Sequence, residues 1–412
     1  MIVGFARSGL SCANLLFDLG AQVSVTDNKL DDSVLANKKK LKSEKIKIEL
    51  GGHSQDFIKG NDLLVISPGV PNEAKPIIWA KELGIPVISE IELAWILCPA
   101  TIIAVTGSNG KTTVTTLIGK ILEAAGKKVF VCGNIGNPFS GEVEKMSADD
   151  YVSLEVSSFQ LENICNFKPK VSVILNFTRN HMDRYTAIEQ YLDAKKRIFI
   201  NQDDSDFLVL NSDDRILKNT ADESRAKVVF FNKTDGLNPN QSAVMAVGSI
   251  FGIDESLCRK VFNDFRGVEH RMELVAELSQ VKFINDSKAT TVESAMWALR
   301  SINGPIILIA GGKDKGLHYK DVLPAARGKV REVVLIGEAR DKIKGALEND
   351  LPVQEAGSLK DAVSLAFKKA LPGDSVLLSP MCASFDMFTD YEQRGRVFKQ
   401  IVLELVKNGP KC

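Results

Sequence analysis

This chain of 412 residues has no net charge, no paired cysteines and no long apolar run. Lys plus Arg and Asp plus Glu each number 52, so no overall field draws the chain to nucleic acid or to an anionic membrane. Charged ligands must then be held by local groups. The seven cysteines (Cys12, Cys98, Cys132, Cys165, Cys258, Cys382, Cys412) are scattered and never spaced as a metal-binding or redox pair, which points to a reducing, cytoplasmic setting. Apolar stretches such as Val171 to Leu175 and Ile306 to Ala310 fall far short of the roughly 18 residues that suggest a membrane span. The opening MIVGFARSG reads as a strand entering a glycine turn, so no targeting segment is expected. No internal repeat or low-complexity tract is visible, and the lysine-rich stretch Lys38 to Lys47 reads as a solvated helix surface.

What is present is 44% apolar residues, ample for two or three cores of ordinary domain size. A strand (Ile2 to Phe5), a glycine turn, a helix carrying Leu10, Ala13, Leu15 and Leu16, and a second strand (Gln22 to Thr26) form a βαβ unit. The reading is a Rossmann-like domain over residues 1–97, closed by PVISEIELAWIL before Pro99. From TIIAVTGSNGKTT onward, strands VFVCG, YVSLEVS and VSVILNF alternate with helices, predicting a central parallel α/β domain over 98–267 with a phosphate-binding loop. A strand pair around Met272 to Asn285, then PIILIAGG, EVVLIG and DSVLLSP, predict a third, Rossmann-like α/β domain over 268–412.

In Thr106-Gly107-Ser108-Asn109-Gly110-Lys111-Thr112-Thr113, small residues let backbone N–H groups approach a phosphate, Lys111 can reach its outer oxygens, and Thr112 can ligate Mg²⁺. Val105 stands where the usual loop has its first glycine, so this is a variant loop. Its other reading is a glycine turn with a chance GKT. Glu155 ends the strand YVSLEVS, where ligands gather in such a sheet. It reads either as the carboxylate partner of the metal or as a solvent-facing strand end. Lys195 falls on the apolar stripe of AIEQYLDAKKRIFIN with Ile188, Tyr191, Leu192, Ile198 and Phe199. Either its stem is buried and its ammonium reaches water, or desolvation leaves a neutral amine able to take up carbon dioxide as a metal-binding carbamate. His181, in NHMDRY, is the partner candidate for that second metal, or a polar surface group.

The series VTGSNGKTTVTTL, GNIGNP, SLEVSSFQLE, NHMDRY, YLDAKKRIF, EHRMEL, INDSKAT and LLSPMCASFDMF resembles the Mur ligases, the ATP-dependent amide ligases of peptidoglycan synthesis, over nearly the whole chain. The GFARSG and SPGV turns, INDSKAT and SPMCASFDMFTDYEQRG are similar to the branch of that family that adds D-glutamate. The resemblance implies a cytoplasmic, monomeric enzyme with ATP, D-glutamate and UDP-N-acetylmuramoyl-L-alanine as small-molecule substrates, and no nucleic-acid or membrane partner. It implies two Mg²⁺ ions, or Mn²⁺ in their place, one on Thr112 and Glu155 and one on His181 and carbamylated Lys195. Lys111 would hold the phosphates; Asn240, Arg271 and Asp286 would contact ATP; Asn134 and Ser157 would border the reacting carboxylate. The UDP moiety falls to Ser8, Asp27, Asn28, Ser67 and Gly69, and D-glutamate to Lys288, Thr290, Lys315, Ser384, Phe385 and Tyr391.

Taken singly, Asp286 also reads as a helix N-cap, Arg271 as a surface ion pair, and Phe385 and Tyr391 as core aromatics. Three departures from the family pattern stand out: a short first strand, Arg179 and Asn180 where an acidic residue commonly precedes the histidine, and a compact stretch from Asp222 to Asn240 without the usual histidine. Rival functions are a related ligase with another acceptor, including the folylpolyglutamate type, and a binding module that has lost catalysis. A nicotinamide-dependent oxidoreductase is a further rival, but Ala6 replaces the middle glycine of its fingerprint.

Overall fold

The computed structural model describes residues 1–178, 185, 187–232, 236–314 and 316–408. The chain divides into two compact units, Met1–Phe265 and Arg266–Cys412. The first unit holds two sheets. One has five strands, β1 (Ile2–Val3), β2 (Ser24–Asp27), β3 (Lys47–Leu50), β4 (Leu64–Ile66) and β5 (Val87–Ser89), in the order β3-β2-β1-β4-β5 and all parallel. This is the doubly wound order expected of a βαβ-built sheet, with helices on both faces. Its apolar residues accordingly fall into two clusters, one around Phe5, Val25 and Ile88 and one around Val3, Leu64 and Ile77.

The second sheet of that unit has six parallel strands: β6 (Thr101–Thr106), β7 (Val129–Gly133), β8 (Tyr151–Glu155), β9 (Val171–Ile174), β10 (Phe207–Asn211) and β11 (Lys227–Phe231). Their order is β11-β10-β9-β6-β8-β7, so the chain reverses direction across the sheet at β6. Sites form at such a reversal because neighbouring connections leave on opposite faces and open a crevice at the strand ends.

Helix Glu90–Leu97 joins the two sheets, and its acidic residues fix the junction. The buried Glu92 carboxylate accepts the N–H groups of Cys165, Asn166 and Phe167 at 2.8–2.9 Å. Glu90, also buried, accepts from Ser140 N at 2.7 Å. Desolvation raises the Glu90 carboxyl above the ordinary carboxylate range.

The second unit, taken by itself, is a six-stranded sheet of β12 (Glu273–Leu278), β13 (Val281–Asn285), β14 (Ile306–Gly311), β15 (Val330–Ile336), β16 (Val353–Glu355) and β17 (Ser375–Leu378). The order is β12-β13-β17-β14-β15-β16; only the β12–β13 pair is antiparallel, so the sheet is mixed. Apolar clusters again cover both faces, one around Leu308, Val333 and Ile343 and one around Phe283, Ile309 and Val363.

The lysine-rich stretch is a correction. Its helix, Asp32–Lys38, ends where the lysines begin, and residues 39–46 form turns leading into β3. Leu41 and Ile46 turn inward against the first sheet, which a continuous solvated helix would not allow. Among the described residues, no helix is long and apolar enough to cross a membrane.

Candidate functional site

The central crevice is built on the loop between β6 and helix Lys111–Ala124. Gly110 caps that helix in the left-handed region at φ +82°, and a Cβ there would lie 2.5 Å from Asn240 Oδ1, so only glycine fits. Asn240 reaches this position from the first turn of helix Pro239–Ile250, which is started by an Asn238–Gln241 capping box. The far side of the loop is clamped by the exit of β9. Asn109 N donates to Asn176 Oδ1 at 2.8 Å and Asn176 Nδ2 returns to Asn109 O at 3.1 Å. Ser108 Oγ donates to Thr178 O and accepts Thr178 N, both at 3.0 Å. Thr112 is buried and Thr113 half-buried in the first helical turn. The loop therefore presents a fixed helix N-terminus, a ready anion site.

Two lysines converge on one carbonyl. Lys111 Nζ donates to Gly107 O at 2.9 Å and to Ser108 O at 3.1 Å, and Lys195 Nζ donates to the same Gly107 O at 3.0 Å. Lys195 is 1% exposed, which overturns the snorkelling alternative because its amine never reaches water. Its Nζ lies 4.4 Å from the Tyr191 ring centroid, and Tyr191, Tyr185, Phe177 and Phe159 pack as one aromatic cluster. Burial first, and repulsion from Lys111 second, hold the Lys195 amine well below the ordinary lysine range.

Glu155 ends β8, its Cα paired with Val105 on one side and Gly133 on the other. It is 2% exposed, which excludes the solvent-facing alternative. Oε1 accepts Asn134 Nδ2 at 2.7 Å, while Oε2 is buried with no hydrogen-bond partner among the described residues. A buried carboxylate oxygen without a donor is costly, and a cation would offset that cost. The oxygen donors that Glu155 and Thr112 offer suit Mg²⁺, a hard ion that takes oxygen ligands. Ser157 serves locally as the N-cap of helix Ser158–Leu161 in a capping box with Gln160. His181, Arg179 and Asn180 lie outside the described residues.

The residues expected to hold the UDP moiety lie at or near the ends of β1, β2 and β4, and the polar atoms of Asp27 and Ser67 are engaged by backbone. Asp27 Oδ2 accepts Phe5 N at 2.6 Å and Oδ1 accepts Lys29 N at 2.8 Å. Ser67 Oγ donates to Gly4 O at 2.9 Å. Ser8 lies in the first turn of helix Arg7–Asp18, which packs so close to β1 that a Cβ at Gly9 would stand 1.9 Å from Gly4 O. Asn28 and Gly69 are exposed at the rim, with open space around Gly69.

In the second unit, the loops after β13 and β17 carry Asp286, Lys288 and Thr290 on one side and Ser384 and Phe385 on the other. They are tied by Arg394, a 1%-exposed residue that sequence reasoning missed. Its Nε donates to Ser287 Oγ at 3.0 Å, Nη2 to Ser287 O at 2.9 Å and Cys382 O at 3.1 Å, and Nη1 to Ala383 O at 3.2 Å. Burial lowers this guanidinium to about 10. Ser287 Oγ in turn donates to Tyr391 O at 2.8 Å, placing half-buried Tyr391 at the same edge. Ser384 is buried, whereas Phe385 is 68% exposed and is no core aromatic.

The alternative reading of Asp286 as a helix cap does not hold, because Thr291 caps helix Val292–Ser301. Instead Asp286 accepts Ser379 Oγ at 2.8 Å and Met272 N at 3.2 Å, and burial pushes it up to about 7. Arg271 forms no surface ion pair among the described residues; its guanidinium lies over the Trp297 ring. Lys315 lies outside the described residues. Of the missed residues, Asn176 was signalled only by its place at a strand end, and Arg394 by its charge and its place in the SPMCASFDMFTDYEQRG motif.

Comparison with known proteins agrees with this architecture. Residues 1–89 match the MurD-like N-terminal domain of Mur ligases, 105–250 the Mur ligase middle domain, and 270–382 the Mur ligase glutamate ligase domain. The chain is 40% identical to the UDP-N-acetylmuramoylalanine–D-glutamate ligase of Chloroherpeton thalassium, covering 98% of this chain and 97% of that protein. It is also 40% identical to the ligase of the same name from Caldicellulosiruptor bescii, covering 99% and 98%. Among solved structures, UDP-N-acetylmuramate-alanine ligase MurC from Thermotoga maritima shares the fold at TM-score 0.61 and 19% identity, over 98% of both chains. The chain belongs to the Mur ligase family.

Proposed function

We propose that this chain joins D-glutamate to UDP-N-acetylmuramoyl-L-alanine, with ATP converted to ADP and phosphate. The observation that carries the chemistry is the phosphate loop with two lysines on Gly107 O beside the buried, half-satisfied Glu155. The acceptor rests on the near-full-length likeness to ligases of that name.

In this reading the alanyl carboxylate oxygen attacks the γ-phosphorus of ATP, the bond to ADP breaks, and an acyl phosphate forms. The D-glutamate amine then adds to the acyl carbon, phosphate leaves, and the amine's proton passes to solvent. Lys111 and the N–H groups of residues 107–113 offset charge on the transferring oxygens. Asn134 and Ser157 border the reacting carboxylate, and Asn240, Arg271 and Asp286 contact ATP. Thr112 and Glu155 would hold one Mg²⁺, and His181 with carbamylated Lys195 a second, the ions supplying charge neutralisation when bound. Burial lowers the Lys195 amine toward the neutral form that addition to carbon dioxide requires, in which the N–C bond forms and one proton leaves. Ser8, Asp27, Asn28, Ser67 and Gly69 address the UDP moiety. Lys288 and Lys315 match the two carboxylates of D-glutamate, with Thr290, Ser384, Phe385 and Tyr391 around them. The enzyme acts in the cytoplasm as a monomer.

The test is phosphate release from ATP and Mg²⁺ with UDP-N-acetylmuramoyl-L-alanine, offering D-glutamate, L-glutamate, L-alanine and L-lysine in parallel. Release with D-glutamate alone is expected. Release with another amino acid would overturn the acceptor, and release with none would favour a fold that has lost catalysis.

A further inference from the structure

Arg271 is presented in an unusual way. It stands between His270 and Met272, both in the left-handed region at φ +62° and +46°, a conformation that non-glycine residues adopt only when their surroundings impose it. Here the surroundings do. The His270 ring is buried 2.9 Å from Asn285 Nδ2, against Gly395, where a Cβ would meet His270 Nδ1 at 2.2 Å. On the other side Met272 N donates to Asp286. The arginine stem therefore leaves from a pinned backbone.

Its guanidinium makes no hydrogen bond or ion pair among the described residues. Asp286 is near enough to feel its charge, yet the two are not bonded. What the guanidinium does touch is Trp297, its carbon 5.7 Å from the ring centroid, within cation–π range. Trp297 lies off the buried stripe of its helix (Val292, Ala295, Ala298, Leu299) and is 46% exposed. A contact with an aromatic face offers no acceptor atom, so the guanidinium keeps N–H donors for a ligand.

We infer that Trp297 is a positioning residue for the nucleotide: its indole face holds Arg271 away from Asp286 and leaves the guanidinium edge available to ATP oxygens. The inference rests on the reading of Arg271 as an ATP contact. In the full-length enzyme, Trp297→Ala is expected to raise KM for ATP about three- to fivefold, the factor an exposed cation–π contact supplies, with kcat and the other two KM values held. Trp297→Phe should restore most of the loss. In an Arg271→Ala background, Trp297→Ala should add nothing further.

An unchanged KM in Trp297→Ala, or a rise that persists without Arg271, would overturn the inference while leaving Arg271 as an ATP contact. An Arg271→Ala enzyme with an unchanged KM for ATP would sink the reading of Arg271 itself, and the inference with it.

Discussion

The turn that joins β1, β2 and β4 and the crevice at β6 and β8 are both strand-end sites in parallel sheets, yet they treat their polar groups in opposite ways. In the first, the Asp27 carboxylate and the Ser67 hydroxyl are bound to the backbone of Phe5, Lys29 and Gly4. These side chains hold the turn itself, and any ligand meets a shape already set. In the second, Glu155 keeps a buried oxygen without a donor among the described residues, and Lys195 is buried beside Lys111 on one carbonyl. Neither arrangement favours the folded chain by itself, because desolvated charge is costly unless compensated. Side chains that stabilise should be expensive to remove for folding. Side chains held at a cost should be expensive to remove only for activity.

The strongest way to break this contrast is Lys195→Met, which keeps the bulk and removes the amine. Activity should fall about a thousandfold or more, the scale of losing a central electrostatic group, while the melting temperature holds or rises. A marked loss of stability with activity retained would reverse the contrast. The smaller Lys195→Ala should also lose activity and regain part of it when a short carboxylic acid is supplied to stand in for the carbamate. No rescue would remove the carbamate role.

Glu155→Gln should reduce phosphate release by about 10²–10³ and leave stability within about 1 kcal/mol, since the amide oxygen can still accept from Asn134. Urea denaturation alongside the assay reads both quantities.

Asp286 extends the comparison to the second unit. The folded state keeps its proton up to about pH 7, whereas an unfolded aspartate releases it near its ordinary value of 3.8. Its contribution to stability is therefore complete below about pH 4 and is lost as pH rises through 7, a change of a few kcal/mol. Asp286→Asn should flatten that slope in melts taken across pH 4–8; an unchanged slope would assign it elsewhere.

The smallest effects belong to the β1–β2–β4 turn. Ser67→Ala should lower stability by about 1 kcal/mol, and Asp27→Ala by about 1–3 kcal/mol because two backbone N–H groups lose their acceptor. Neither should change kcat by more than about twofold if the turn acts through its shape; a large fall in kcat would place these groups in the chemistry instead.

Much of this was legible from residue order. The alternation of apolar strands with helices gave the three sheets, and TGSNGKTT marked the loop between β6 and its helix, because that motif is a local strand–loop–helix code. The misreadings were also local. Lys38 to Lys47 looked like one helix face because charge pattern alone does not reveal that Leu41 and Ile46 turn inward. The cap alternative for Asp286 fell for a similar reason, since Thr291 stands closer to the helix and takes that place.

Sequence by itself determined the parallel sheets, the phosphate loop and the family resemblance, since each rests on neighbouring residues or on ordered motifs. Tertiary structure alone decided that Lys195, 88 positions from Gly107, shares a carbonyl with Lys111, and that Arg394 ties Ser287, 107 positions away, to the loop after β17. It also decided that Glu155 buries an oxygen that no donor among the described residues reaches, and that Arg271 rests on Trp297. These contacts follow from strand order and packing, and the state of a buried charge is fixed by everything that excludes water around it, which no local stretch of sequence encodes.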